Sequence, residues 1–175
     1  MLASRNAKHH QIAYVTNDMD RALNVFSKDY GVARFYPLLT GAEPPRPDGL
    51  HLKVGLANVN GTEVELIQPL GETRNLYSDA LPADGRFTLE LHHLCIRIAG
   101  NLEDWQRHRA SIDEKAHPIA LEGAYGDYLR VLYTDERDRL GHYLEHLWMS
   151  PFVLEKMAEL VPSFPTAQLS APVAN

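Results

Sequence analysis

Four polar side chains stand at matching places along this chain: Gln11, Glu65, His93 and Glu145, separated by 54, 28 and 52 residues. Two carboxylates and an imidazole can take up, hold and return protons near neutral pH. With the amide they offer three oxygen donors and one nitrogen to a cation. Singly they carry little weight, because a glutamate in a strand usually faces solvent and a histidine in a strand is usually structural. Their weight comes from repetition.

His10-Gln11-Ile12-Ala13-Tyr14-Val15 and His92-His93-Leu94-Cys95-Ile96-Arg97-Ile98 both read as strands entered through histidine, at an offset of 82 residues. Each is followed by a capped helix. Asn17 or Asp18 caps one over about residues 19–30, with Met19, Ala22, Leu23, Phe26 and Tyr30 at helical spacing and Gly31 suited to its C-terminal turn. Asn101 caps the other, which carries Leu102, Trp105, Arg109 and Ile112 and cannot pass Pro118. Further strands open at Leu52-Lys53-Val54 and Leu129-Arg130-Val131. They are followed by Gly61-Thr62-Glu63-Val64-Glu65-Leu66 and Gly141-His142-Tyr143-Leu144-Glu145-His146, where the offset is 80. The extra residues of the second unit fall in a hairpin loop at Asp135–Leu140.

Alternation then assigns faces. Leu94, Ile96 and Ile98 form an apolar face that packs on the following helix, leaving His93, Cys95 and Arg97 opposite; Ile12 and Tyr14 do the same in the first unit, leaving Gln11, Ala13 and Val15. By this parity Gln11, and not His10, is the partner of His93. Glu65 shares a face with Ile67, and Glu145 takes its place in the second unit. A pseudo-twofold arrangement of the two units brings all four together.

The chain length of 175 residues suits one domain with a sizeable core. Seventeen Lys+Arg against 23 Asp+Glu leave a formal charge of −6, which supplies no basic field for nucleic acid or an anionic membrane. Cys95 is the one cysteine, so an intrachain disulfide and a cysteine-based zinc cluster are both excluded, and a reducing cytoplasm is the expected location. No signal peptide or membrane span is expected. Residues 71–88 read as the connector between units, with a short helix near Asn75–Ala80. Ser150-Pro151 opens a last helix with Phe152, Leu154, Met157 and Leu160, and the chain is expected to be loose beyond Pro162.

The segments His-Gln-Ile-Ala-Tyr-Val-Thr-Asn-Asp-Met-Asp-Arg-Ala-Leu, Val-Glu-Leu-Ile-Gln-Pro, His-His-Leu-Cys-Ile-Arg-Ile and Gly-His-Tyr-Leu-Glu-His-Leu, in this order over residues 9–149, resemble the vicinal oxygen chelate superfamily. That group includes glyoxalase I, methylmalonyl-CoA epimerase, extradiol dioxygenases and antibiotic-binding (bleomycin resistance) proteins. The resemblance implies an α+β fold of two paired βαβββ modules forming a curved, partly open barrel around a cavity. Module one would span about residues 9–70, module two about 89–149, and a C-terminal helix and tail 150–175, all in one domain.

The same resemblance implies one metal ligand on the first and last strand of each module, here Gln11, Glu65, His93 and Glu145. The first position is more often histidine in the family, with glutamine a known alternative in glyoxalase I enzymes. Such a donor set suits a divalent ion: Zn, Ni, Co, Mn or Mg. The implied activity is isomerase or lyase chemistry of glyoxalase or epimerase type. An enolate or enediolate of a small carbonyl substrate is stabilised, with Glu65 and Glu145 moving the proton.

The alternatives are small-molecule binding without chemistry and, less favoured, extradiol cleavage, which needs two histidines and a carboxylate on iron. Arg97 suits a substrate carboxylate or phosphate, and Tyr143 suits a hydrogen bond to substrate. Cys95 is expected to be a buried filler, His10 and His92 to be surface or edge residues, and Glu43–Asp48 a proline-rich loop. A homodimer is expected, with Trp148, Phe152 and Leu154 in its contact.

Overall fold

The computed structural model describes residues 6–40, 50–71 and 74–165. Module one runs β1 (Ala7–Thr16), α1 (Met19–Tyr30), β2 (Tyr36–Thr40), β3 (Leu52–Val59) and β4 (Thr62–Pro69). Module two runs β5 (Leu89–Ile98), α2 (Leu102–Ala110), β6 (Ile119–Tyr125), β7 (Leu129–Asp135) and β8 (Tyr143–Met149), with the helical turn α3 (Arg137–Leu140) before β8. The chain ends its described part with α4 (Pro151–Leu160) and β9 (Ser163–Phe164). This is the expected α+β arrangement of two βαβββ modules. Among the described residues no helix is long and apolar enough to cross a membrane. The proline-rich Glu43–Asp48 lies outside the described residues.

The strands form one sheet in the order β2-β3-β4-β1-β5-β8-β7-β6, with β9 added beside β3. This order is palindromic about the antiparallel β1–β5 pair, and each module's first strand lies parallel to its last. The sheet must curl. Val54 of β3 and Val131 of β7 are five strands apart, which a flat sheet would separate by roughly 24 Å at the usual spacing, yet both line one cavity.

Local chemistry sets the helices. Asp18 accepts from the Arg21 N–H and Gly31 closes α1 at φ 72°, the left-handed conformation a glycine takes without strain. Asn101 and Asp104 form a reciprocal capping box at α2. Ser150 caps α4 with Pro151 in its first turn. α1 covers the outer face of module one through Met19, Ala22 and Phe26 packed with Leu66 and Ala57. α2 covers module two through Trp105, packed with Ile96, Ile98, Leu132 and Leu144. Leu132 is fully buried there. Leu132→Ala is expected to cost about 2–5 kcal/mol of stability, read as a lowered midpoint in urea, with the cavity face unaffected.

Two expectations are corrected, and the longer second hairpin is found where the spacing placed it. Just beyond Pro162, Ser163 and Phe164 pair with Asn58 and Val59, while 166–175 lie outside the described residues. Trp148 is 4% exposed and its Nε1 donates to the Gly100 carbonyl, so it is core and unavailable to a partner subunit. The additional residues of the second hairpin form the helical turn α3 closed by Gly141. Strands β2 and β6 carried too little alternation to be read from the residues: in Tyr36-Pro37-Leu38-Leu39-Thr40, Leu38 and Leu39 adjoin although they face opposite ways.

Candidate functional site

The inner face of the sheet encloses a cavity of about 230 Å³. Leu52, Val54 and Leu56 of β3, Val131 of β7 and Leu147 and Met149 of β8 make its walls apolar, and Val153 and Met157 of α4 reach in from the C-terminal side. Polar groups gather on β1, β4 and β8, where Gln11, Glu63, Glu65 and Glu145 line it.

The four residues singled out by the repeat converge. Gln11 Nε2 donates to Glu65 Oε2 at 2.7 Å. His93 Nε2 lies 3.4 Å from Glu65 Oε2 and 3.3 Å from Glu145 Oε2, so the imidazole of module two bridges glutamates from both modules. The register repeats as well: Gln11 pairs with Glu63 and Ala13 with Glu65, while His93 pairs with Tyr143 and Cys95 with Glu145.

Burial makes these charges matter. On its own, burial would drive the His93 pKa down, but the carboxylates of Glu145 and Glu65 held against its ring raise it to about 9. Burial likewise pushes Glu145 up, and the His93 imidazole more than offsets it, leaving the carboxylate below its ordinary value. For Glu63, burial, then the charges of Glu65 and Glu145, raise the pKa to about 8.

The stability of the ion-free protein follows. Folding raises the pKa of His93 from 6.5 to about 9 and of Glu63 from 4.5 to about 8. Both groups thus bind protons more readily in the folded chain, and the stability they contribute is lost as pH rises. The melting temperature of the ion-free protein is expected to fall between pH 6.5 and 9, measured by thermal scans across that range. A flat profile would contradict the bridge.

Two histidines sit where alternation did not place them. The β1–β5 register slips twice: between His9 and Gln11, which makes His10 an extra residue on β1, and opposite Ala13 and Tyr14, which makes His92 an extra residue on β5. These bulges lie 82 residues apart, at equivalent points of the two modules. A bulge re-aims the side chains beside it. His10 therefore lines the cavity next to Gln11, with Nε2 3.9 Å from Glu63 Oε1, instead of standing at the surface. His92 is 3% exposed and touches His93, instead of lying at an edge.

Arg97 and Tyr143 are not among the residues lining the cavity. Arg97 lies in an adjoining recess that shares His10, Glu63, Met149 and Met157 with the cavity wall. Tyr143 packs behind the site, its ring 5.0 Å from that of His92 and 4.6 Å from the Arg137 guanidinium. In their place sequence reasoning missed Glu63, two residues before Glu65 and hence on its face, and the pair Tyr77 and Tyr133, whose hydroxyls hydrogen-bond at 3.0 Å beside His93. The parity of Glu63 was a readable signal. Tyr133 likewise shares the parity of Val131 on β7, whereas Tyr77 had no such signal because it comes from the connector. Cys95 is fully buried, and burial raises its thiol pKa well above the ordinary value, as befits a filler.

As placed, no three histidine, cysteine, aspartate or glutamate side chains among the described residues form a metal-binding group. Their chemistry nevertheless fits one. The set offers three oxygen donors and one imidazole nitrogen, and Glu145 Oε2 is buried 3.3 Å from His93 Nε2 with no well-directed hydrogen bond.

The family model for the glyoxalase/bleomycin resistance protein/dioxygenase superfamily matches residues 10–124. The chain belongs to this superfamily. Solved structures of the superfamily fold align over most of the chain at low identity. A methylmalonyl-CoA epimerase variant of Streptomyces coelicolor, in complex with 2-nitronate-propionyl-CoA, is 17% identical with a TM-score of 0.57, covering 82% of this chain and 95% of that one. The methylmalonyl-CoA epimerase of Mycobacterium tuberculosis is 16% identical with a TM-score of 0.56, covering 89% and 97%. A hypothetical protein of Bacillus halodurans C-125 is 15% identical with a TM-score of 0.58, covering 83% and 96%. At these identities the likeness concerns the fold. A comparison with curated proteins finds no match.

Proposed function

We propose that this superfamily member is a metal-dependent enzyme that moves a proton at a carbon next to a carbonyl group. The observation that carries the reading is the meeting of Glu65 and Glu145, one from each module, on the same imidazole nitrogen at the polar side of an otherwise apolar cavity. A divalent cation held by Gln11, Glu65, His93 and Glu145 would polarise the carbonyl oxygen and stabilise the charge of the enolate.

The chain's own groups would do the rest. One glutamate takes the proton from the carbon, and the carbon is reprotonated either by that same group or by the second glutamate in its protonated form. The apolar walls exclude water and hold the substrate body. The epimerase complexes put thioesters first among substrates to try. Cytoplasmic location and a homodimer using the exposed Phe152 belong to the same proposal.

The test is solvent deuterium uptake into methylmalonyl-CoA, and into the glutathione hemithioacetal of methylglyoxal, with protein loaded in turn with Zn, Ni, Co, Mn and Mg. Exchange that depends on a stoichiometric ion is the expected result. No stoichiometric site with any ion, or a site that is unchanged in both Glu65→Gln and Glu145→Gln, would overturn the reading. The mainly apolar walls also favour a second reading, sequestration of a hydrophobic small molecule without chemistry. Ligand protection against heat with no ion present would support it.

A further inference from the structure

Neighbouring residues on a regular strand point to opposite faces. The rings of His92 and His93 instead meet edge to face, 5.2 Å apart at 86°. The bulge at His92 makes this contact possible. His92 Nε2 lies 3.1 Å from the carbonyl oxygen of Leu76, and its Nδ1 lies 2.9 Å from His93 Nδ1.

Partner chemistry fixes the protons along this line. A carbonyl oxygen can only accept, so His92 Nε2 carries a proton. The ring lies buried between Tyr77 and Tyr143, at 4.8 and 5.0 Å, and beside a second imidazole, a setting that favours its neutral form. A neutral imidazole holds one proton, so His92 Nδ1 accepts and His93 Nδ1 donates. His93 Nε2 is then the nitrogen turned to Glu65 and Glu145.

We propose that His92 is a positioning residue for His93: anchored on the Leu76 carbonyl and packed between two tyrosine rings, it accepts at its Nδ1 a hydrogen bond from His93 Nδ1 and so presents His93 Nε2 to the two glutamates. The proposal rests on the reading of His93 as a member of the cation-binding quartet. It also gives the two bulges different uses. Gln11 is an amide with no tautomer to fix, and His10, the counterpart of His92, stays at the cavity wall.

Two variants separate the roles of the ring. His92→Phe keeps an aromatic ring in the stack and removes the acceptor. His92→Asn returns an acceptor oxygen near the Nδ1 position and loses the stack. Affinity for Zn²⁺ and Co²⁺, measured by calorimetry, is expected to fall about 10–100-fold in His92→Phe, the usual cost of losing an outer partner of a metal-bound histidine, and to recover in His92→Asn.

A second measurement needs neither ion nor variant. In ¹⁵N spectra of the histidine-labelled ion-free wild type, His92 should be protonated at Nε2 alone, and His93 should carry a proton at Nδ1, with Nε2 protonated as well while its ring is a cation. Protonation of His92 at Nδ1, or a folded His92→Phe that binds both ions as tightly as the wild type, would overturn the proposal. Should the wild type bind neither ion, the cation reading fails by itself and the ¹⁵N spectrum alone decides the role of His92. The spectrum decides it equally if His92→Phe does not fold.

Discussion

Glu145→Gln is expected to slow solvent deuterium uptake into any substrate that exchanges by about 10²–10⁴-fold, the usual contribution of a positioned proton-transfer group. The change keeps the shape of the side chain and removes its charge and basicity. Glu145 is the more exacting position of the two glutamates. Its side chain is 8% exposed against 15% for Glu65, and its Oε2 lies 3.3 Å from His93 Nε2, whereas Glu65 also holds the Gln11 amide. Against the effect of burial, the His93 imidazole holds its carboxylate below the ordinary value, so Glu145 is ionised at neutral pH and free to take a proton.

The same substitution should bring the His93 pKa down from about 9, because it removes the first of the partners that raise it. The two readouts separate outcomes. Exchange lost with ion binding retained makes Glu145 the proton carrier. Ion binding lost with it makes Glu145 a ligand first. Exchange at the wild-type rate would contradict the proposed role.

The quartet was legible because the chain states it twice. Gln11, Glu65, His93 and Glu145 recur at offsets of 82 and 80, and parity along β4, β5 and β8 puts Glu65, His93 and Glu145 on the concave face, where they meet. The capped helices were legible for local reasons, since Asp18, Asn101 and Ser150 satisfy the first free N–H groups of helices whose boundaries they set. What escaped was whatever depended on partners far along the chain. Tyr77 reaches the site from the connector, and β9 pairs with a strand about a hundred residues earlier. Arg97 has the parity of His93, but it stands further along β5, and its side chain opens into the next recess. A period of two says which face a residue takes; it does not say how far along the curled sheet the cavity extends.

The bulges are the sharpest case, and they change the expectation for the first strand. Strict alternation forces a choice between His10 and Gln11, since one of them must turn outward. The slip between His9 and Gln11 removes the choice, and both line the cavity. Their partners still differ: Gln11 donates to Glu65 at 2.7 Å, whereas His10 faces Glu63 at 3.9 Å, with Arg97 in the recess beyond. Gln11→Ala is therefore expected to weaken Zn²⁺ or Co²⁺ binding at least as much as the loss of an outer partner does, by about 100-fold. His10→Ala should leave ion affinity unchanged and alter the binding of molecules that fill the cavity. Calorimetry with the ion alone, followed by calorimetry with substrate on the ion-loaded protein, reads the two effects separately. The opposite result has a definite chemical meaning. If His10→Ala abolishes ion binding and Gln11→Ala does not, the bulge has delivered His10 to the centre, the donor set becomes His10, Glu65, His93 and Glu145, and two histidines with a carboxylate make iron and oxygen chemistry the next reaction to test.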